Sequence, residues 1–255
     1  MSSITVKEQL LSLKFSGMLT AFEEQLCMTD IKNLSFEERL SLLLDRESLE
    51  KNNRKLKRRL AQAKLKINAS IEEMDYSGNR DIDKSFILSL ANCAWIDKAQ
   101  NIIITGATGV GKTYLACALA QKTCREGYNA CYYRISMLLH NLAIAKGDGQ
   151  YQKQLNQLSN FKLIVLDDFG LSVLTESQRR DLLEILEDRY NLKSTIIVSQ
   201  MPIDKWHEII GDPTIADAIL DRVIHNSYKI NMKGGSMRKK QNSSKVSTFD
   251  LKSQK

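Results

Sequence analysis

Three apolar runs stand out along the chain: Ile102 to Ile104 behind Asn101, Leu163 to Leu166, and Ile196 to Val198 inside the segment STIIVSQ. None alternates with polar residues, so each predicts a strand buried on both faces, as in a parallel sheet. Residues 130–134 (ACYYR) add a short strand. Between and around these runs, apolar residues recur at helical spacing over 86–95, through Leu115, Ala116, Leu119 and Ala120, over 136–145 and 151–158, over 176–190 and over 215–225. A turn at Lys146, Gly147, Asp148 and Gly149 separates the fourth pattern from the third. Strands alternating with helices predict an α/β domain with a parallel sheet flanked by helices.

Residues 1–70 read differently, as helix throughout. Leu19, Phe22 and Leu26 share a face, and Ser35 with Glu38 three later forms a capping box that opens a helix through Leu40, Leu43 and Leu44. The pattern continues into Leu56, Leu60, Ala63 and Ile67. A break around Tyr76, Ser77, Gly78 and Asn79 follows. The expected organisation is a small all-α domain over 1–70, an α/β domain over 71–240, and a polar, Ser/Lys-rich tail over 241–255 that reads as disordered.

Charge changes the picture more than composition does. The net charge of the 255-residue chain is only +7, but eight basic residues and no acidic one lie between Lys51 and Lys66. At 100° per residue, Lys51, Arg54, Lys55, Arg58, Arg59 and Lys66 fall opposite the apolar face, a ladder suited to phosphates. A solvated helix face is the plainer reading, yet such a face normally alternates signs for i, i+4 pairing. The run therefore points to DNA contact by Lys51, Arg54, Lys55, Arg58 and Arg59. Five cysteines without C-x-x-C spacing imply reduced thiols, and the three scattered histidines read as structural. With no long apolar run and no cleavable leader pattern, a cytoplasmic protein with no membrane association is expected.

The sharpest chemical signal follows the first strand. Gly106, Ala107, Thr108, Gly109, Val110, Gly111, Lys112 and Thr113 fill the pattern G-x-x-x-x-G-K-[ST] between a strand and a helix. Polyphosphate needs inward backbone N–H groups, which glycines allow, and a helix N-terminus adds donors and a positive dipole end. Lys112 would neutralise the β/γ oxygens and Thr113 would hold Mg²⁺, with ATP as the nucleotide. Asp167 and Asp168 end the strand 163–166, 55 residues after Lys112. Asp167 is suited to the Mg²⁺ shell and Asp168 to orienting the attacking water. At the end of 194–200, Ser199 and Gln200 could reach the γ-phosphate, or could serve only to form a turn.

With these residues in view, the chain resembles AAA+ ATPases of the IstB/DnaC type, helpers of insertion-sequence transposition allied to bacterial helicase loaders. The resemblance spans residues 6–240 and rests on LKFSGMLTAFEEQ, RKLKRRLAQAKL, GATGVGKTYLACALA, FKLIVLDDFGL, IIVSQMPIDKWHEII and ADAILDRVIHNSYKINMKGGSMRK. It implies a Walker A motif at 106–113 and a Walker B motif at 163–168, the latter ending Asp–Asp rather than Asp–Glu. Ser199, with Gln200 beside it, takes the sensor-one place, Arg222 the arginine-finger place acting on a neighbouring subunit, and Arg238 the sensor-two place. The helix pair over 136–158 matches an insertion that lines DNA in the initiator and loader clade. The implied function is ATP-dependent self-association on double-stranded DNA, recruitment of a cognate transposase, and ATP hydrolysis. A replicative helicase loader and a nucleotide-binding scaffold that does not hydrolyse are the alternatives. A GTPase should carry an Asn-Lys-x-Asp guanine reader, which the sequence lacks.

Overall fold

The structure, a computed structural model, describes residues 3–76 and 82–237. The chain divides into two compact units, residues 1–59 and 60–255.

The first unit holds α1 (Ser3–Ser12), α2 (Ser16–Cys27) and most of α3 (Phe36–Ala63). The capping box forms: Glu38 N–H donates to Ser35 Oγ at 3.2 Å, and Ser35 N–H to Glu38 Oε2 at 2.7 Å. Buried Glu47 accepts from the Gly17 and Met18 N–H groups at 2.7 and 3.2 Å, placing a carboxylate at the positive end of α2. Burial works to raise its pKa. The two backbone N–H groups, with Lys51 and Arg54, outweigh that and hold the carboxyl below its ordinary value. Packing in this unit is thinner than the periodicity implies, since Leu26, Leu40 and Leu44 remain exposed.

Helix α3 ends earlier than its pattern. It stops at Ala63, Lys64 takes a left-handed φ of 49°, and residues 65–71 leave the helix axis. The cause is packing inside the second unit, where Ala63, Ala69 and Ile71 are buried and Tyr114 Oη donates to Ser70 O at 3.2 Å. The unit boundary therefore falls inside α3, between residues 59 and 60, whereas the sequence reading put the domain boundary after residue 70.

The second unit is a five-stranded sheet in the order β2-β3-β4-β1-β5, with every pairing parallel. The strands are β1 (Asn101–Gly106), β2 (Ala130–Arg134), β3 (Leu163–Phe169), β4 (Ser194–Ser199) and β5 (Ser227–Met232). Ile103, Ile164, Leu166 and Ile197 join a core with α7 (Ile135–Gly147), α8 (Tyr151–Ser159), α9 (Glu176–Glu187), α10 (Trp206–Ile210) and α11 (Pro213–Ile224). The alternate residues, such as Ile104, Val165 and Ile196, point to the other face by the period of a strand. Helix α6 (Lys112–Arg125) packs along β1 to β4 and buries Leu115, Ala116, Leu119 and Ala120. This is the α/β fold expected, with both sheet faces covered.

Three details differ from the hydrophobic pattern. The single helix expected over 86–95 is two, α4 (Lys84–Leu90) and α5 (Ala94–Asp97), because Cys93 adopts φ 59° and Asn92 Oδ1 accepts from Ala94 N–H at 2.9 Å. A short polar side chain bonding its own backbone competes with helix continuation there. Helix α9 stops at Glu187 instead of 190 so that Arg189 can turn inward. Its guanidinium donates to Leu158 O and Phe161 O at 2.9 Å each and to Ser194 O at 2.5 Å, joining α8, the segment that leads into β3, and β4. Strand β5 was not read from the sequence, although Ile230 and Met232 are buried between exposed Lys229 and Asn231 in the alternation of an edge strand.

Candidate nucleotide site

Strand β1 delivers the chain into the Gly-rich turn, and α6 begins directly after it at Lys112. Two glycines are sterically required. Gly106 has φ 143° and a Cβ there would lie 2.1 Å from Met232 O; Gly109 has φ 84° and would meet Ser236 Oγ at 2.3 Å. The C-terminal end of the described chain thus lies against the loop, with Met237 N–H donating to Gly109 O at 2.9 Å. Beside the loop is a cavity of about 430 Å³ whose lining includes Thr108, Lys112, Thr113, Asp167, Asp168 and Gln200.

Inside it, Lys112 Nζ donates to Gly106 O and Ala107 O at 2.7 Å each, and Val110 is buried beneath the loop. Thr113 Oγ1 donates to Asp167 Oδ2 at 2.9 Å. Asp167 is 1% exposed and also accepts from Tyr132 Oη at 2.5 Å. Burial first, and then the bonded carboxylate, push the Tyr132 phenol far above its usual range, so it stays a donor. The register between β3 and β4 shifts between Leu166 and Phe169, and within that shift Asp168 adopts φ 63°. Its carboxylate receives Arg134 Nε at 3.2 Å.

The structure brings loop residues Thr108, Lys112 and Thr113 together with Asp167 and Asp168 around one cavity, while the sequence left the choice between Ser199 and Gln200 open. Ser199 is fully buried, donates to Phe169 O at 2.8 Å and accepts from Met201 N–H at 3.0 Å, so its hydroxyl holds the turn. Gln200 Oε1 accepts from Thr108 Oγ1 at 2.6 Å and is the one that reaches the loop. Arg222 is not among the described residues lining the cavity. It pairs with Glu187, donates to Ala218 O at 2.9 Å and lies 5.9 Å from the Tyr190 ring. Arg238 lies outside the described residues.

Sequence reasoning missed Tyr132, Arg134 and Lys66. The first two carried no local signal: the pairing of Arg134 with Asp167 in the β2–β3 register brings them to the aspartates. Lys66 was counted in the basic ladder, but it lies beyond the end of α3 and lines the cavity instead. In the first unit, the ladder is also partly neutralised. Lys51 and Arg54 pair with Glu47 at 3.6 and 3.2 Å, and Lys51 Nζ sits 4.6 Å from the Phe15 ring centroid. Lys55 and Arg58 are exposed and, with Lys14, line a groove beside Phe15, while Arg59 is half-buried.

A Gly-rich loop between β1 and α6, a hydroxyl and a buried carboxylate meeting beside its lysine, and a parallel sheet of order β2-β3-β4-β1-β5 define a P-loop domain of the AAA+ class. Solved structures agree on the fold. The DnaC helicase loader superposes with a TM-score of 0.54 at 22% identity, over 65% of this chain and 97% of that one. AMPPCP-bound DnaA from Aquifex aeolicus does so with 0.54 at 18% identity, over 73% and 57%. The chain belongs to the family of IstB-like ATP binding proteins, whose family model matches residues 8–245. It is 46% identical to the insertion sequence ATP-binding protein y4pL of Sinorhizobium fredii over 92% of this chain and 96% of that one. A similar protein of insertion sequence IS21 from Pseudomonas aeruginosa is 33% identical over 92% and 89%.

Proposed function

We propose that this ATP-binding protein hydrolyses ATP to time its own assembly on double-stranded DNA, where it recruits or activates the transposase of its insertion sequence. The observation carrying this reading is the contact of Thr113 Oγ1 with Asp167 Oδ2 in the cavity that also holds Lys112. A hydroxyl and a carboxylate are hard oxygen donors, the set that suits Mg²⁺ bound through one carboxylate and the substrate's phosphates. Among the described residues no group of three or more His, Cys, Asp or Glu could form an all-protein cage. Thr113 and Asp167 would hold Mg²⁺, which supplies charge neutralisation between the β- and γ-phosphates.

The chain's own residues supply the rest. Lys112 exchanges the Gly106 and Ala107 carbonyls for phosphate oxygens, and Asp168 orients the attacking water. Gln200 rather than Ser199 acts at the γ-phosphate, since Ser199's hydroxyl is committed to the turn. Arg222, which is not among the described residues lining its own cavity, acts on the nucleotide of a neighbouring copy, and Arg238 takes the sensor-two place that the family resemblance gives it. Subunit contact then depends on nucleotide state. Lys55 and Arg58 grip duplex phosphates with Lys51, Arg54 and Arg59 beside them, and the α7–α8 pair faces DNA within the oligomer. The work is cytoplasmic; no helix among the described residues is long and apolar enough to cross a membrane. Identity to insertion-sequence proteins over nearly the whole chain favours this reading over a replicative loader.

The test is ATP turnover with and without duplex DNA, combined with light scattering in ATP, ADP and no nucleotide. DNA-stimulated turnover and an ATP-dependent oligomer are expected, both lost in Lys112→Ala. A protein that stays monomeric with ATP, Mg²⁺ and long duplex overturns the proposal, and binding without turnover leaves a scaffold.

A further inference from the structure

Lys66 lies three residues beyond α3, outside both phosphate-site motifs, yet its side chain enters the nucleotide cavity. Its Nζ is 3.8 Å from Asp167 Oδ2, the same oxygen that accepts from Thr113 and Tyr132. Asp167 is buried, and a nearby cation offsets part of the cost of burying its carboxyl group. The Lys66 side chain, 40% exposed, keeps the freedom of a four-carbon stem. A divalent cation held by Thr113 and Asp167 would repel an ammonium from that carboxylate. The anion arriving in the same cavity is the triphosphate.

We propose that Lys66 is a triphosphate-reading residue: its ammonium leaves Asp167 for the terminal phosphates when Mg·ATP enters, and it finds a poorer partner when Mg·ADP does. Lys112 binds both nucleotides from the start of the helix after the loop, whereas Lys66 discriminates between them from outside the loop, beside Asp167. The inference rests on the nucleotide reading of the cavity and assigns ATP-over-ADP selectivity to a residue that the phosphate-site motifs omit.

Equilibrium binding of fluorescent ATP and ADP analogues with Mg²⁺ tests it in Lys66→Gln, Lys66→Arg and Lys112→Ala. Lys66→Gln should weaken ATP binding about tenfold, a charge-assisted contact's worth, and ADP binding less than twofold. Lys66→Arg should restore most of the difference. Loss of both nucleotides in Lys112→Ala, with an unchanged ATP-to-ADP ratio in Lys66→Gln, overturns the role of Lys66 alone. Wild-type binding by Lys112→Ala overturns the nucleotide site itself. A readout free of folding effects is amine labelling of the wild-type protein, read by mass spectrometry. Mg·ATP should protect Lys66 more than Mg·ADP does, and equal protection counts against the proposal.

Discussion

Tyr132 donates its phenol hydrogen to Asp167 Oδ2 at 2.5 Å, from β2 to the adjacent strand β3, inside the core rather than at its rim. A metal-site carboxylate needs its free lone pairs aimed at the cavity, and this bond with that of Thr113 fixes how it is turned. Tyr132→Phe removes one hydrogen bond to a charged acceptor, worth about 1.5–3 kcal/mol. Expected is a Mg²⁺ requirement raised roughly tenfold or more, read by Mg²⁺ titration of nucleotide binding. Binding in EDTA should stay near wild type.

Arg222 pairs with Glu187 at the end of α9 and is not among the described residues that line the cavity. Arg222→Ala should therefore leave nucleotide affinity of the isolated subunit unchanged and lower turnover of the assembled oligomer by about 10³-fold or more. Mixing it with Lys112→Ala subunits, which supply an intact arginine, should restore part of the rate. No recovery would return Arg222 to a purely structural role.

Glu47 pairs with Lys51 and Arg54 and partly offsets their charge, so the proposed DNA contacts fall most directly on Lys55 and Arg58. Reversing both to Glu should weaken binding to any duplex sequence. It should also flatten the slope of log affinity against log salt by about 2, close to one per phosphate lost. Lys51→Ala should change that slope less and thermal stability more.

Glu47 also gives a pH signature. Its folded pKa lies below the unfolded value, so its contribution is present above pH 4.5 and is lost as pH falls through the folded value. Glu47→Gln should melt several degrees below wild type at pH 7, and the two curves should converge as the pH falls below 4.5 and through the folded value. A gap that stays constant with pH would deny the carboxylate its charge-dependent role.

Legibility followed the range of the interaction. The loop glycines, Lys112 and Thr113 were readable because strand, turn and helix are contiguous, and their chemistry is fixed by spacing along one short segment. Asp167 and Asp168 were readable because a buried strand ending in carboxylates beside such a loop has few other uses. Lys66 was misread because its helical period continues past Ala63, while Lys64 turns left-handed and packing of 65–71 overrides the pattern. Arg189 carried no signal in the helical pattern over 176–190, yet the fold closes four carbonyls around it, and burial draws its pKa down to about 9 without discharging it at neutral pH.

The amino-acid order alone determined the central strands, the phosphate loop and the paired aspartates, since each depends on neighbours within a few residues or on uninterrupted apolar runs. Only the tertiary structure decided which side chains from elsewhere complete the cavity. Gln200 and Lys66 line it, while Tyr132 and Arg134 reach its two aspartates from the neighbouring strand; strand register and a helix that ends early bring them there, and those arrangements depend on packing between segments far apart in the chain. Periodicity specifies which face of an element is buried, but not what it will be buried against.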